Sequence, residues 1–111
     1  MSSGPAWLIL FVAGLCEIGW ALGLKYAEGF SRLWPSVWTL VLMAASVLLL
    51  GWSLKTLPLG TAYAVWTGIG AIGTALLGIL LFGESKDALR LVCIGLIVAG
   101  ILGLKLLTPR A

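Results

Sequence analysis

Apolar residues in this chain run almost unbroken through four stretches that short polar segments separate. The first stretch covers Ala6 to Leu24 and ends at Lys25-Tyr26-Ala27-Glu28-Gly29-Phe30-Ser31-Arg32. The second runs from Pro35 to Leu54, and proline suits a helix's first turn because its missing N–H would have no partner there. Lys55-Thr56-Leu57-Pro58-Leu59 makes a short connection in which Pro58 acts as a breaker. The third stretch covers Gly60 to Phe82 and stops at the polar turn Gly83-Glu84-Ser85-Lys86-Asp87. The fourth covers Leu91 to Leu107, with Lys105 near enough to its end for the ammonium to snorkel toward the headgroups. Each run is about as long as a ~30 Å hydrocarbon layer requires, and helices are the open segments that satisfy every backbone polar group inside such a layer. The pattern predicts an all-α integral membrane protein, a single domain over residues 1–111 with four transmembrane helices.

Composition narrows the function classes. Hydrophobic residues make up 61% of the chain and charged residues 10%, against roughly 25% charged in soluble domains. The net charge of +3 comes from Lys and Arg residues scattered singly, so no basic stripe exists for nucleic acid. Cys16 and Cys93 lie in apolar runs and the chain has no His, which leaves buried free thiols and no ordinary metal site. Without His, without a nucleophile and base in recognisable spacing, and without a loop large enough for a soluble site, the chain does not read as an enzyme, and no cofactor is expected. The first run lacks a basic n-region and contains Glu17, both unlike a cleaved leader, so it is expected to remain as a span.

Four spans place both termini and the middle connection on one side of the membrane. Lys55, Lys105 and Arg110 then face Lys25, Arg32, Lys86 and Arg90 across it. Orientation follows an excess of Lys and Arg in cytoplasmic loops, and here the excess is a single residue. Insertion in both orientations is an even alternative to insertion in one. Four short helices also do not easily enclose a route for a polar solute, so association is expected. An antiparallel homodimer would supply from one gene product the inverted symmetry that many transporters build from internal repeats.

Glu17 is the acid inside a span, two positions past the midpoint of the first and about 3 Å from the bilayer centre at 1.5 Å per residue. A charge there costs at least ~2.5–3.5 kcal/mol, so by default such a residue marks an ion or substrate pathway. Lys105 lies near a membrane face and is not expected to reach it. Helical spacing sets Gly14, Glu17, Trp20 and Ala21 on one face, and Tyr63, Trp66, Thr67, Gly70 and Thr74 on a face of the third span. A carboxylate for charge-assisted hydrogen bonds and aromatic faces for cation–π contact suit a flat organic cation. Trp66 and Tyr63 have an interfacial aromatic belt as the plainer reading, which Trp7, Trp34, Trp38 and Trp52, nearer the span ends, fit better. Because protons and a cation compete for the same carboxylates, export would be coupled to an inward proton gradient.

Glycines punctuate the spans. Thr67-Gly68-Ile69-Gly70-Ala71-Ile72-Gly73 is the densest run, and it reads equally as a hinge centred on Gly68 and Gly70 or as close small-residue packing. Gly95 and Ala99 are four apart in a span whose core has no acid or aromatic residue, which marks the fourth helix as a dimer-packing helix.

Three segments carry a resemblance to the small multidrug resistance family that extends over nearly the whole chain. They are Ala13-Gly14-Leu15-Cys16-Glu17, Lys25-Tyr26-Ala27-Glu28-Gly29-Phe30-Ser31-Arg32-Leu33-Trp34-Pro35-Ser36, and Leu57-Pro58-Leu59-Gly60-Thr61-Ala62-Tyr63-Ala64-Val65-Trp66-Thr67-Gly68-Ile69-Gly70. Within that family the chain is most similar to the guanidinium-exporting subtype, through Trp20 three residues after Glu17 and through Gly103-Leu104-Lys105. The resemblance implies an antiparallel, dual-topology homodimer in a bacterial inner membrane that exchanges guanidinium for protons by alternating access. It further implies that Glu17 binds the cation, that Trp20, Tyr63 and Trp66 line the site with Gly14, that Ser46 supports the Glu17 carboxylate, and that Met43 lies near a side portal. Two other functions remain open on the residues: a broad exporter of quaternary ammonium and hydrophobic cations, and a non-transporting accessory membrane subunit.

Overall fold

The computed structural model describes residues 3–107 and contains α1 (Ser3–Ala27), α2 (Leu33–Ser53), α3 (Leu59–Phe82) and α4 (Ala88–Leu107). Their 25, 21, 24 and 20 residues correspond to helices roughly 30–38 Å long. All four are long and apolar enough to cross a membrane, as the hydrophobic pattern predicts, and the protein is a multi-pass membrane protein.

Local chemistry sets the ends. Pro58 caps α3 in an extended conformation (φ −61°, ψ 143°), and its carbonyl accepts the N–H of Ala62 at 2.9 Å. Gly83 closes the same helix in the left-handed region at φ 65°, where a side chain would be strained, and this turns the N–H of Glu84 back to the Gly78 carbonyl at 3.3 Å. Asp87 starts α4 by accepting the Arg90 N–H on Oδ1 at 2.9 Å. Between α1 and α2 the backbone passes through three successive left-handed residues, Glu28, Gly29 and Phe30. The Ser31 hydroxyl fastens this turn by donating to the Glu28 carbonyl at 2.7 Å.

The helices begin one to three residues before the spans read from hydropathy, α2 ends one residue short at Ser53, and α1 continues through Lys25 and Tyr26 to Ala27 instead of stopping at Leu24. Phe82 explains the extra turn. Its ring lies 5.5 Å from that of Tyr26 and 5.3 Å below the Lys25 ammonium, so the end of α1 is helical because the end of α3 receives it.

α1 lies between α2 and α3, and α4 packs chiefly beside α3, with Lys105 reaching over Trp7 of α1. The core is small and sits where the first three helices meet, built from Leu10, Ala13, Leu50, Leu57, Ala62, Val65 and Trp66. α4 contributes no buried residue. The Cα atoms span 43 × 35 × 17 Å, so the chain is a slab less than two helix diameters thick.

Candidate functional site

Polar side chains from three helices, Glu17, Ser46 and Trp66, come together near the middle of α1. Ser46 on α2 is fully buried, and its hydroxyl donates to the Ala13 carbonyl at 2.7 Å. Trp66 on α3 is 8% exposed and donates its indole N–H to the same Ser46 oxygen at 2.9 Å. One line of two hydrogen bonds therefore joins α3 to α2 and α2 to α1. Each contributes roughly 1 kcal/mol net, and losing one partner would leave the other buried and unsatisfied at greater cost.

Glu17 follows Ala13 by one turn and points to α3. Its carboxylate lies on Gly70, so close that a Cβ there would collide with Oε1, and the carboxyl group rests where only a glycine leaves room. Oε1 is buried and has no hydrogen-bond partner. One turn further along α1 the indole N–H of Trp20 is likewise buried and unpartnered. An acceptor and a donor thus stand idle on one face of α1, where an orphaned polar group costs about 1–3 kcal/mol. Lys105 does not quench the carboxylate, because its ammonium sits 4.8 Å from the centre of the Trp7 ring, ten residues earlier on α1.

The remaining residues singled out from the sequence take distinct places. Tyr63 is half exposed, and its ring stands 5.5 Å from that of Trp66, tilted by 49°. Gly14 faces Ile69 of α3 on the same side of α1 as Glu17. Met43 lies partly buried one turn before Ser46. The Ser46 hydroxyl has its one hydrogen on Ala13 and donates none to Glu17 in this conformation. α3 is helical without interruption through Gly68 and Gly70, the first of which faces Ile101 of α4 at 2.8 Å from a virtual Cβ. Gly95 and Ala99 face outward, and a methyl added at Gly95 would meet nothing within 4 Å.

Sequence reasoning missed three participants. Nothing in the pattern identifies the Ala13 carbonyl as the acceptor for Ser46. Trp38, placed in the aromatic belt, donates its N–H to the Gly19 carbonyl at 3.0 Å and so ties α2 to α1, the helix that carries Glu17. Gly70 was legible as a small residue on the site face, but not as the seat of the carboxylate.

The arrangement is an intramembrane carboxylate held without a counter-charge, beside aromatic rings, on a slab that is open along its flank. It can hold a proton or an organic cation.

Comparison with known proteins gives the same direction. The family model described as Small Multidrug Resistance protein matches residues 5–97. The guanidinium exporter of Yersinia pseudotuberculosis serotype I (strain IP32953) is 66% identical over 101 residues, which cover 91% of this chain and 97% of the relative. That of Salmonella typhimurium (strain LT2) is 62% identical over 101 residues, 91% and 96% of the two chains. That of Citrobacter freundii is 59% identical over 103 residues, 93% and 98% of the two.

Proposed function

The chain belongs to the small multidrug resistance family, and from that premise we propose that it exports guanidinium and small guanidinyl cations from a bacterial cell, across the inner membrane, in exchange for protons. The observation that carries the proposal is the Glu17 carboxylate, seated on Gly70 in the apolar layer with Oε1 unpartnered. Guanidinium is flat and offers only N–H donors, so a carboxylate can take two of its hydrogen bonds side by side while Trp and Tyr faces receive its π-surface. The names of relatives 59–66% identical support the same cargo.

The unpartnered Trp20 N–H supports a second copy in the working unit. Guanidinium carries no acceptor and cannot satisfy an indole donor, whereas a second Glu17 carboxylate can. In the proposed antiparallel homodimer two Glu17 side chains share one site, and the near balance of Lys and Arg between the two faces is compatible with insertion both ways. The slab, 17 Å thick, encloses a path only when paired. Ser46 and Trp66 act as the frame that holds α1 at Ala13, one turn from the carboxylate. Gly68 and Gly70 let α3 move against α4 and α1 as the site opens alternately to either side, Met43 lies at the side portal, and Gly95 with Ala99 provides the packing face of α4.

Exchange therefore needs no separate coupling device. A proton pair and the cation exclude each other from the same carboxylates, so one leaves when the other binds. The test is purified protein in liposomes under an imposed pH gradient, with guanidinium compared against tetraalkylammonium ions. Guanidinium is expected to move and to carry protons the other way. Preference for tetraalkylammonium would assign a broad hydrophobic-cation exporter instead, and movement of neither would assign an accessory subunit.

A further inference from the structure

A second carboxylate and a second aromatic face meet at the polar end of the α1–α3 seam, where they flank a cavity of about 410 Å³. The inner wall of that cavity starts one helical turn from the central site. Ala21 follows Glu17 by four residues, and Thr74 follows Gly70 by four. Its outer wall is formed by Lys25, Phe82, Glu84 and Arg90, some two turns further on. The cavity thus runs from one helical turn beyond Glu17 toward the α3–α4 turn.

At that outer wall Glu84 is not splayed into solvent. Its carboxylate folds back over Gly78, where a Cβ would lie 2.8 Å from the carboxyl carbon and still closer to Oε1. Arg90 Nη2 donates to Oε1 at 2.9 Å. Phe82 beside it carries the Lys25 ammonium at 5.3 Å from its ring centre. The mouth therefore holds the same pair of chemistries as the centre, a seated carboxylate and an aromatic face, and each already carries a cation from the chain itself. The cation on Glu84 is a guanidinium group. Their side chains are 37% and 43% exposed, and ion pairs in that setting contribute only about 0–1 kcal/mol. Arg90 is anchored through its backbone N–H to Asp87, so its guanidinium can leave Glu84 while α4 keeps its start.

We propose that the mouth is an outer staging subsite for a planar organic cation, in which the incoming ion displaces the Arg90 guanidinium from Glu84 before moving along the cavity to Glu17. The choice of cargo rests on the guanidinium reading above. Arg90 is then a built-in competitor: it occupies the Glu84 carboxylate when no cargo is present and lowers the apparent affinity of the entrance. Glu84 acts in specificity, because a quaternary ammonium ion has no N–H to replace those of Arg90.

The two halves of the ion pair should consequently act in opposite directions. In guanidinium uptake by proteoliposomes at low ionic strength, Glu84→Gln is expected to raise KM by roughly two- to fivefold and Arg90→Gln to lower it by a similar factor, with the rate at saturation kept in both. A purely structural latch would lose the same bond in either variant and shift both in one direction. That outcome, or no shift in either, overturns the subsite. A binding measurement separates this from the cargo assignment. In the Glu17→Gln protein, which lacks the central carboxylate, the Arg90 side-chain ¹⁵Nε resonance, assigned by Arg90→Lys, should titrate with guanidinium chloride more than with equal sodium chloride. If wild-type protein moves no guanidinium, the cargo reading fails while this titration still decides the subsite; an identical response to the two salts overturns it.

Discussion

The seam between α1 and α3 and the outer face of α4 are both lined by glycines, yet they are opposite environments. Gly70 lies under a carboxylate of its own chain, with no space for a methyl group, while Gly95 opens on nothing within 4 Å. Around the first, α1, α2 and α3 bury Ser46, Trp66 and Ala13 and tie them by hydrogen bonds; around the second, α4 buries no residue at all. The seam has a reason for its glycine that can be read from its neighbours within one chain. The α4 face is incomplete, and its small residues have meaning only against lipid or another copy.

Substitution of the two glycines gives the largest contrast. Gly70→Ala is expected to abolish guanidinium exchange and to lower stability by about 1–3 kcal/mol through overpacking, measured by proteoliposome flux and by thermal unfolding in detergent. Gly95→Ile should leave the helix content and unfolding of the single chain unchanged and weaken self-association by a comparable energy, measured by the monomer–dimer equilibrium in detergent. Normal flux in Gly70→Ala would remove the carboxylate from its seat, and undiminished pairing in Gly95→Ile would remove α4 from the proposed dimer seam.

A smaller effect tests the frame behind the seam. Trp66→Phe keeps the aromatic body and deletes the N–H that Ser46 accepts. It should cost about 0.5–1.5 kcal/mol in unfolding and reduce guanidinium affinity without abolishing exchange. A variant as stable as wild type would show that the α3–α2–α1 line is not a stabilising tie.

The smallest expected effect lies at the start of α4. The Arg90 backbone N–H, and next the Ser85 hydroxyl, hold the Asp87 carboxyl below the usual carboxylate range. A carboxyl group lowered on folding adds stability above its unfolded pKa and loses it as pH falls through the folded value. The difference in unfolding temperature between wild type and Asp87→Ala should therefore be constant from neutral pH down to about pH 5 and shrink below about pH 4. A difference that grows on acidification would contradict the assignment of Asp87 as the cap.

These contrasts also mark what could be read from the sequence. A lone acid in an apolar run is conspicuous, so Glu17 was legible without a structure, as were four spans and the aromatic partners three and four residues apart. Contacts across helices were not. The last turn of α1 depends on Phe82, which is more than fifty residues away along the chain. The resemblance gives Ser46 to the Glu17 carboxylate, whereas its hydroxyl reaches a backbone carbonyl, a type of acceptor that hydropathy and spacing do not reveal. Glycine spacing left hinge and packing equally open at Gly68 and Gly70, because it shows that a neighbour could approach without showing which one does. Glu84 and Arg90 read only as charges in a turn until the fold brought them to the mouth of a cavity.

The central claim is that one carboxylate per chain holds either protons or the exported cation. Proton release on adding guanidinium to purified protein in weak buffer tests it most directly, with Glu17→Gln as the comparison. The wild-type protein should release protons in a saturable way, and the Gln variant should release none. Equal release from both proteins, or guanidinium binding by the wild type with no protons freed, would contradict the account.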